Sequence, residues 1–261
     1  VGALAVGLTL VASASAATKP GYERFEGCPT PAEAPTVTSC QLSTITGGHF
    51  KMGSKTVPIT NPITLSGGTN GAGEEFASSP SGGLSESPQP VPGGLIGITG
   101  LDWLVNFLNA EQLKLYAVTE LAGSPKLTPF AYELPIKVRL VNPALGSKCY
   151  VGSNAEPILL KLSVGTTNPP PPNEPITGVQ PTFKVGTPKG VGVYSNGTFV
   201  DNAFAAPGAN GCTLNVLGLL PIPLNGLVNA QAGLPSPAGT NETVQNFNLE
   251  IVARKNVYEP L

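Results

Sequence analysis

The sequence predicts a mainly β fold: an antiparallel β-sandwich, stapled by disulfides, with one or two short helices in its connections. Three observations point there. Apolar and polar residues alternate in several short segments, most clearly between residues 134 and 164. Glycine (32) and proline (28) fill nearly a quarter of the chain, which favours turns and leaves little room for long helices. Four cysteines, an even number, fit two bridges. With 41% apolar residues and only 11% charged ones, the chain has the means to bury a core rather than stay disordered.

The elements follow in order. Residues 1–17 are a short apolar run ending in Ala14-Ser15-Ala16, the pattern of a signal-peptide cleavage site, although the basic leading region is missing. We expect residues 18–261 to be one exported β-rich domain with no transmembrane segment in the mature chain. Leu42, Thr44 and Thr46 alternate with Ser43 and Ile45, and Gly47-Gly48 reads as a hairpin turn into His49-Phe50-Lys51-Met52. Val57, Ile59, Ile63 and Leu65 continue as short strands whose interruptions, Pro58 and Pro62, suit edges or bulges. Residues 67–94 are rich in Gly, Ser and Pro, show no period, and read as a mobile loop.

Leu101, Leu104, Val105 and Leu108 then take helical spacing, with Asp102 in the first turn, where its charge suits the helix dipole. A strand is expected over residues 113–121. The organising pair comes next: Leu134, Ile136, Val138 and Leu140 on one strand, Ile158, Leu160, Leu162 and Val164 on another, joined by a loop that carries Cys149. Residues 169–172 are four prolines, a stiff connector. Val191 to Tyr194, a Ser195-Asn196-Gly197 turn and Thr198 to Val200 read as another hairpin. Leu224, Leu227 and Val228 predict a short helix capped by Gly233 and stopped by Pro235, and Phe247, Leu249 and Ile251 a last strand.

Cys28, Cys40, Cys149 and Cys212 admit three connectivities. Pairing of neighbours, Cys28 with Cys40 and Cys149 with Cys212, is preferred because each half is then stapled separately. With one histidine and no C-x-x-C, zinc is not expected, and the chain calls for no cofactor. A net charge of −2 with scattered basic residues argues against nucleic acid. Any Ser-His-Asp triad must use His49 with Asp102 or Asp201, and no G-x-S-x-G accompanies them, so an exposed turn histidine is the plainer reading. Glu74, Glu75 and Glu86 fall in the expected loop, where carboxylates are solvated rather than tuned. Asp201 and Glu250 are a second carboxylate pair that strands could bring together. Asn196 and Asn241 open N-glycosylation sequons that read as turns.

The remaining candidate is apolar. Residues 95–108 and 214–224 are more hydrophobic than their surroundings. Core packing is the first reading of Trp103 and Phe107. The second is a contact surface for lipid, glycan or another protein, made of Leu101, Trp103, Leu104, Phe107, Leu108, Leu217, Leu219 and Leu220.

Four phrases, LGSKCYVGS (145–153), VGTTNPPPPN (164–173), VDNAFAAPGA (200–209) and GLPSPAGTN (233–241), resemble a group of exported, β-rich actinobacterial proteins without a named activity. That resemblance implies export and a shared fold, and assigns no functional residue. The function expected from all this is a secreted or envelope-associated, non-catalytic structural or binding protein, its partner an envelope component or another protein. A carrier of an apolar ligand is the alternative, and a secreted hydrolase the third.

Overall fold

The computed structural model describes residues 17–71, 75–214 and 222–258. Residues 1–16 of the expected signal segment, Glu74 and the apolar residues Leu217, Leu219 and Leu220 lie outside them. Nine strands form the body of the fold: β1 (Val37–Met52), β2 (Lys55–Pro58), β3 (Ile63–Asn70), β4 (Tyr116–Leu121), β5 (Ala131–Val141), β6 (Ile158–Ser163), β7 (Thr182–Val185), β8 (Val191–Asp201) and β9 (Glu242–Ala253). They join one antiparallel sheet in the order β4-β5-β6-β8-β9-β1-β3, with β2 beside β1 and β7 beside β8. Three short helices decorate it: α1 (Gly94–Thr99), α2 (Asn225–Ala232) and α3 (Arg254–Val257).

β5 and β6 are neighbours as expected, in a register that sets Ile158 opposite Ile136 and Leu160 opposite Leu134. Tyr132, Leu134, Ile136, Val138 and Leu140 are buried, while Lys137 and Arg139 reach the outer face. There Glu120 of β4 takes Arg139 at 2.5 Å and Lys137 at 3.6 Å. The strand is thus pinned by burial on one side and by cross-strand charge on the other, and burial stabilises it more.

β6 and β8 touch through a single ladder pair, Ser163 with Val200. On either side of this thin seam the sheet turns its inner faces toward one another. Ile45, Ile63 and Leu65 from one half and Leu134, Ile136, Leu160 and Leu162 from the other border the same internal gap. The curled sheet is consistent with the sandwich expected. A smaller cluster of Phe25, Val37, Val191, Val252 and Val257 lies around the Cys28–Cys40 bridge.

Both bridges follow the neighbour pairing. Cys28–Cys40 and Cys149–Cys212 span 12 and 63 residues, and no cysteine is free. Chain entropy alone assigns such loops roughly 3 and 4 kcal/mol.

Four local expectations are corrected. Gly47-Gly48 is not a turn: it sits inside the sixteen-residue β1, where the register against β9 slips between Ile45 and Gly47. Gly48 has φ +115°, and a Cβ there would stand 1.9 Å from the Val244 carbonyl oxygen, so glycine serves a bulge. The hairpin turn falls instead at Gly53-Ser54, between β1 and β2. Ser195-Asn196 is likewise a bulge in β8, with Asn196 at φ +60°, rather than a turn between two strands.

Residues 67–94 are not one loop. Gly67 and Gly68 pair with Gln41 and Cys40, and three two-residue strands follow at Phe76–Ala77, Gly83–Leu84 and Gln89–Pro90. Ladders that short carry no readable period. Finally, the helix expected over 95–108 breaks at Gly100, φ +69°, where a side chain would meet the Gln231 amide of α2. The C-cap foreseen at Gly233 of α2 is present, at φ +65°.

Candidate functional site

Side chains depart from the ordinary distribution of polarity in several places; Val179, Phe183 and Val185 are exposed on and beside β7, and two further places are built by their neighbours. The first is the turn after α1. Thr99 Oγ1 donates to Leu95 O, Gly100 N–H donates to Ile96 O, and the chain then enters a 3₁₀ turn, Asp102–Asn106. Leu104 N–H donates to Leu101 O, and both Phe107 and Leu108 N–H donate to Leu104 O. Leu104 is wholly buried, and it anchors the turn in the main core. Its neighbours cannot follow it inward, because a tight turn spreads successive side chains around its axis. Trp103 is 45% exposed, and Val105 and Phe107 are 54% exposed. The two rings meet edge to face at 5.5 Å.

The core reading of Trp103 and Phe107 is therefore corrected: both lie on the surface. Within the contact surface expected from sequence, Trp103 and Phe107 are exposed, Leu101 and Leu108 are partly buried against the core, and Leu104 belongs inside. Val105 joins the exposed set although sequence reasoning did not include it.

The second place is internal. β1 sends Gln41, Ser43 and Ile45 toward the main core. Gln41 Nε2, Ser43 Oγ and Tyr132 Oη are buried and have no hydrogen-bond partner of ordinary geometry among the described residues. A gap of about 30 Å³ separates the two halves here, bordered by Ser43, Tyr132 and Gln245 among apolar side chains. Burial pushes the Tyr132 phenol up to about 12, and the nearby Ser43 hydroxyl works in the opposite direction. The sequence signal for this cluster was the polar alternation Gln41, Ser43 on the same face as Ile45. Nothing local pointed to Tyr132.

The titratable candidates resolve separately. His49 lies in β1, not in a turn, and its Nε2 meets Glu242 Oε1 at 3.0 Å with both side chains about a third exposed. That partner stands 193 residues away and had no sequence signal. Asp201 is buried and accepts hydrogen bonds from the Lys161 and Ala203 N–H groups. Burial raises its pKa, and the Ala203 and Lys161 N–H groups pull the other way. Glu250 binds Arg24 at 2.7 Å and stands opposite Val193, whereas Asp201 stands opposite Thr243, so the second carboxylate pair does not meet. Asp102 and Glu75 are exposed, and Glu86 reaches Arg139 at 3.2 Å.

Asn241 is fully buried, with its side chain bonded to Gly53 N–H, the Ser236 hydroxyl and the Phe204 carbonyl. It can accept no glycan in the folded protein, whereas Asn196 is exposed. Among the described residues, no three His, Cys, Asp or Glu side chains are grouped to hold a metal, and no helix is long and apolar enough to cross a membrane. An open groove of about 480 Å³ lies beside Pro31, Pro35 and Arg254, whose guanidinium is spent on the Thr30, Ala34 and Pro35 carbonyls.

No family model, curated protein or solved structure matches the chain.

Proposed function

We propose that this is an exported, non-catalytic protein that works by contact, presenting Trp103, Val105 and Phe107 to a component of the cell envelope or to another protein outside the cell. The observation that carries this reading is the exposure of three large apolar side chains on one turn whose orientation is fixed from below by Leu104. Exposed aromatic groups on a rigid support are what binding surfaces use as anchors. Two buried disulfides support export, since such bridges persist in oxidising compartments.

The carrier reading is less well supported, because the gap between the sheet halves has room for about 30 Å³, whereas small-molecule sites take roughly 300–1,000 Å³. The hydrolase reading is weaker too. His49 has a carboxylate partner, and that pair lies on neighbouring strands with a third of each side chain in water, which is the ordinary form of a surface polar contact.

Trp103 is the only tryptophan, so its emission reports on the turn directly. Cell-envelope fractions and phosphatidylglycerol vesicles are titrated into the protein. The expected result is a blue shift with one of them, and at least tenfold weaker retention of a Trp103→Ala/Phe107→Ala variant on that same material. A wild type that neither shifts nor is retained, or a variant retained equally well, overturns the proposal. Hydrolytic turnover abolished by His49→Ala in a folded protein overturns its non-catalytic part.

A further inference from the structure

We propose that the gap between the two halves of the sheet is a water-binding site, in which one or two buried waters join Ser43 Oγ, Tyr132 Oη and, one step along β1, Gln41 Nε2. All three side chains are at least nine-tenths buried, and these atoms have no protein partner of ordinary hydrogen-bond geometry among the described residues. Two such groups at one gap, Ser43 Oγ and Tyr132 Oη, are hard to reconcile with a dry interior, since buried polar groups are almost always satisfied by protein or by ordered water.

The space fits the same ligand. A buried water needs about 10–15 Å³ of room and two to four polar partners. The gap offers about 30 Å³, with the two hydroxyls and Gln245 on its wall. Ser43 and Tyr132 lie near each other without a hydrogen bond of ordinary geometry, and a water there can accept from one hydroxyl and donate to the other, bridging β1 and β5. Gln41 stands two residues before Ser43 on the same strand face, roughly 7 Å away, which is the span of a second water.

Gln41 also borders an open cleft of about 340 Å³ whose wall includes Thr38, Ser39 and Thr69. Gln41 thus stands between that cleft and the gap along β1. An apolar ligand is not the occupant this wall selects, because it would leave the hydroxyls and the amide unpaired. The site lies inside the sheet and owes nothing to the Trp103 turn, so it stands whether or not the contact proposal does.

Oxygen-17 relaxation dispersion counts waters that stay bound longer than the protein takes to tumble. Wild type is compared with Ser43→Ala and with Tyr132→Phe. Ser43→Ala is the smaller change and carries the test if the phenylalanine variant fails to fold. The expected result is a loss of at least one long-lived water in either folded variant. An unchanged count in every variant that folds overturns the inference: the gap is then dry and the hydroxyls are simply unpaired.

Discussion

The Asp102–Asn106 turn and the interior around Tyr132 reverse the usual placement of side chains in opposite senses. One shows water an indole and a phenyl ring, and the other hides two hydroxyls and an amide among leucines and isoleucines. The chain has nine phenylalanines, six tyrosines and one tryptophan, so placing the tryptophan outside uses the largest apolar side chain it has where burial gains little. The two departures differ in reach. The turn is a local structure held by Leu104, and its outer residues stay about half exposed. The interior cluster joins β1, β5 and β9, so a change there is felt across both halves of the sheet. Exposed apolar groups and buried polar ones are the informative exceptions to the inside-outside rule, and only the first can be altered without altering the fold.

Adjacent residues give the sharpest contrast. Leu104→Ala should cost about 2–5 kcal/mol, because it empties a fully buried site beneath the turn. Chemical denaturation measures it. A loss under about 1 kcal/mol would mean that the turn is not anchored through Leu104, and the contrast with Trp103 would collapse.

The interior predicts a pH effect. The Tyr132 phenol sits at about 12 in the folded protein against 10.0 unperturbed. Its folded value is the higher one, so the stability it contributes is whole below pH 10 and is lost as pH rises from 10 through 12. The loss sums to roughly 2–3 kcal/mol. Other tyrosines and the lysines also titrate there, so the quantity to measure is the difference between wild type and Tyr132→Phe. Wild type should lose stability faster than the variant across that window. Parallel curves would show that the phenol is not buried as described.

How much of this could be read in the sequence depends on how local the cause is. β5 and β6 were legible because their alternation is strict and each buries one face. The α2 cap was legible because Gly233 follows the last helical residue directly. Gly47-Gly48 and Ser195-Asn196 misled because the residues that make tight turns also make bulges, and only the partner strand distinguishes the two. Both bulges face β9, which lies far from each in sequence. Trp103 misled for a different reason: helical spacing over 95–108 placed it beside Leu104 in one element, and Gly100 divides that element in two. The partner of His49 and the residues around Tyr132 come from distant strands, and no short window contains them.

A smaller effect separates satisfied from unsatisfied burial. Asp201 is buried like Tyr132 but has two N–H donors. Burial still holds its pKa above the ordinary carboxylate value of 3.8. The folded state therefore takes up the proton first, and wild type should gain stability relative to Asp201→Asn as the pH falls toward 4. Denaturation midpoints of the two proteins at pH 7 and pH 4 test it. A gap that moves the other way on acidification would show that the N–H groups outweigh burial.

The most direct measurement concerns Trp103 itself. On the proposed reading its side chain is displayed for contact and does little for the fold. Unfolding followed by circular dichroism, together with retention on the envelope fraction, should be measured for wild type and Trp103→Ala side by side. The predicted result is a stability within about 0.5 kcal/mol of wild type, with retention weakened. A loss of about 3–5 kcal/mol would place the indole in the core, and unchanged retention would remove it from the contact.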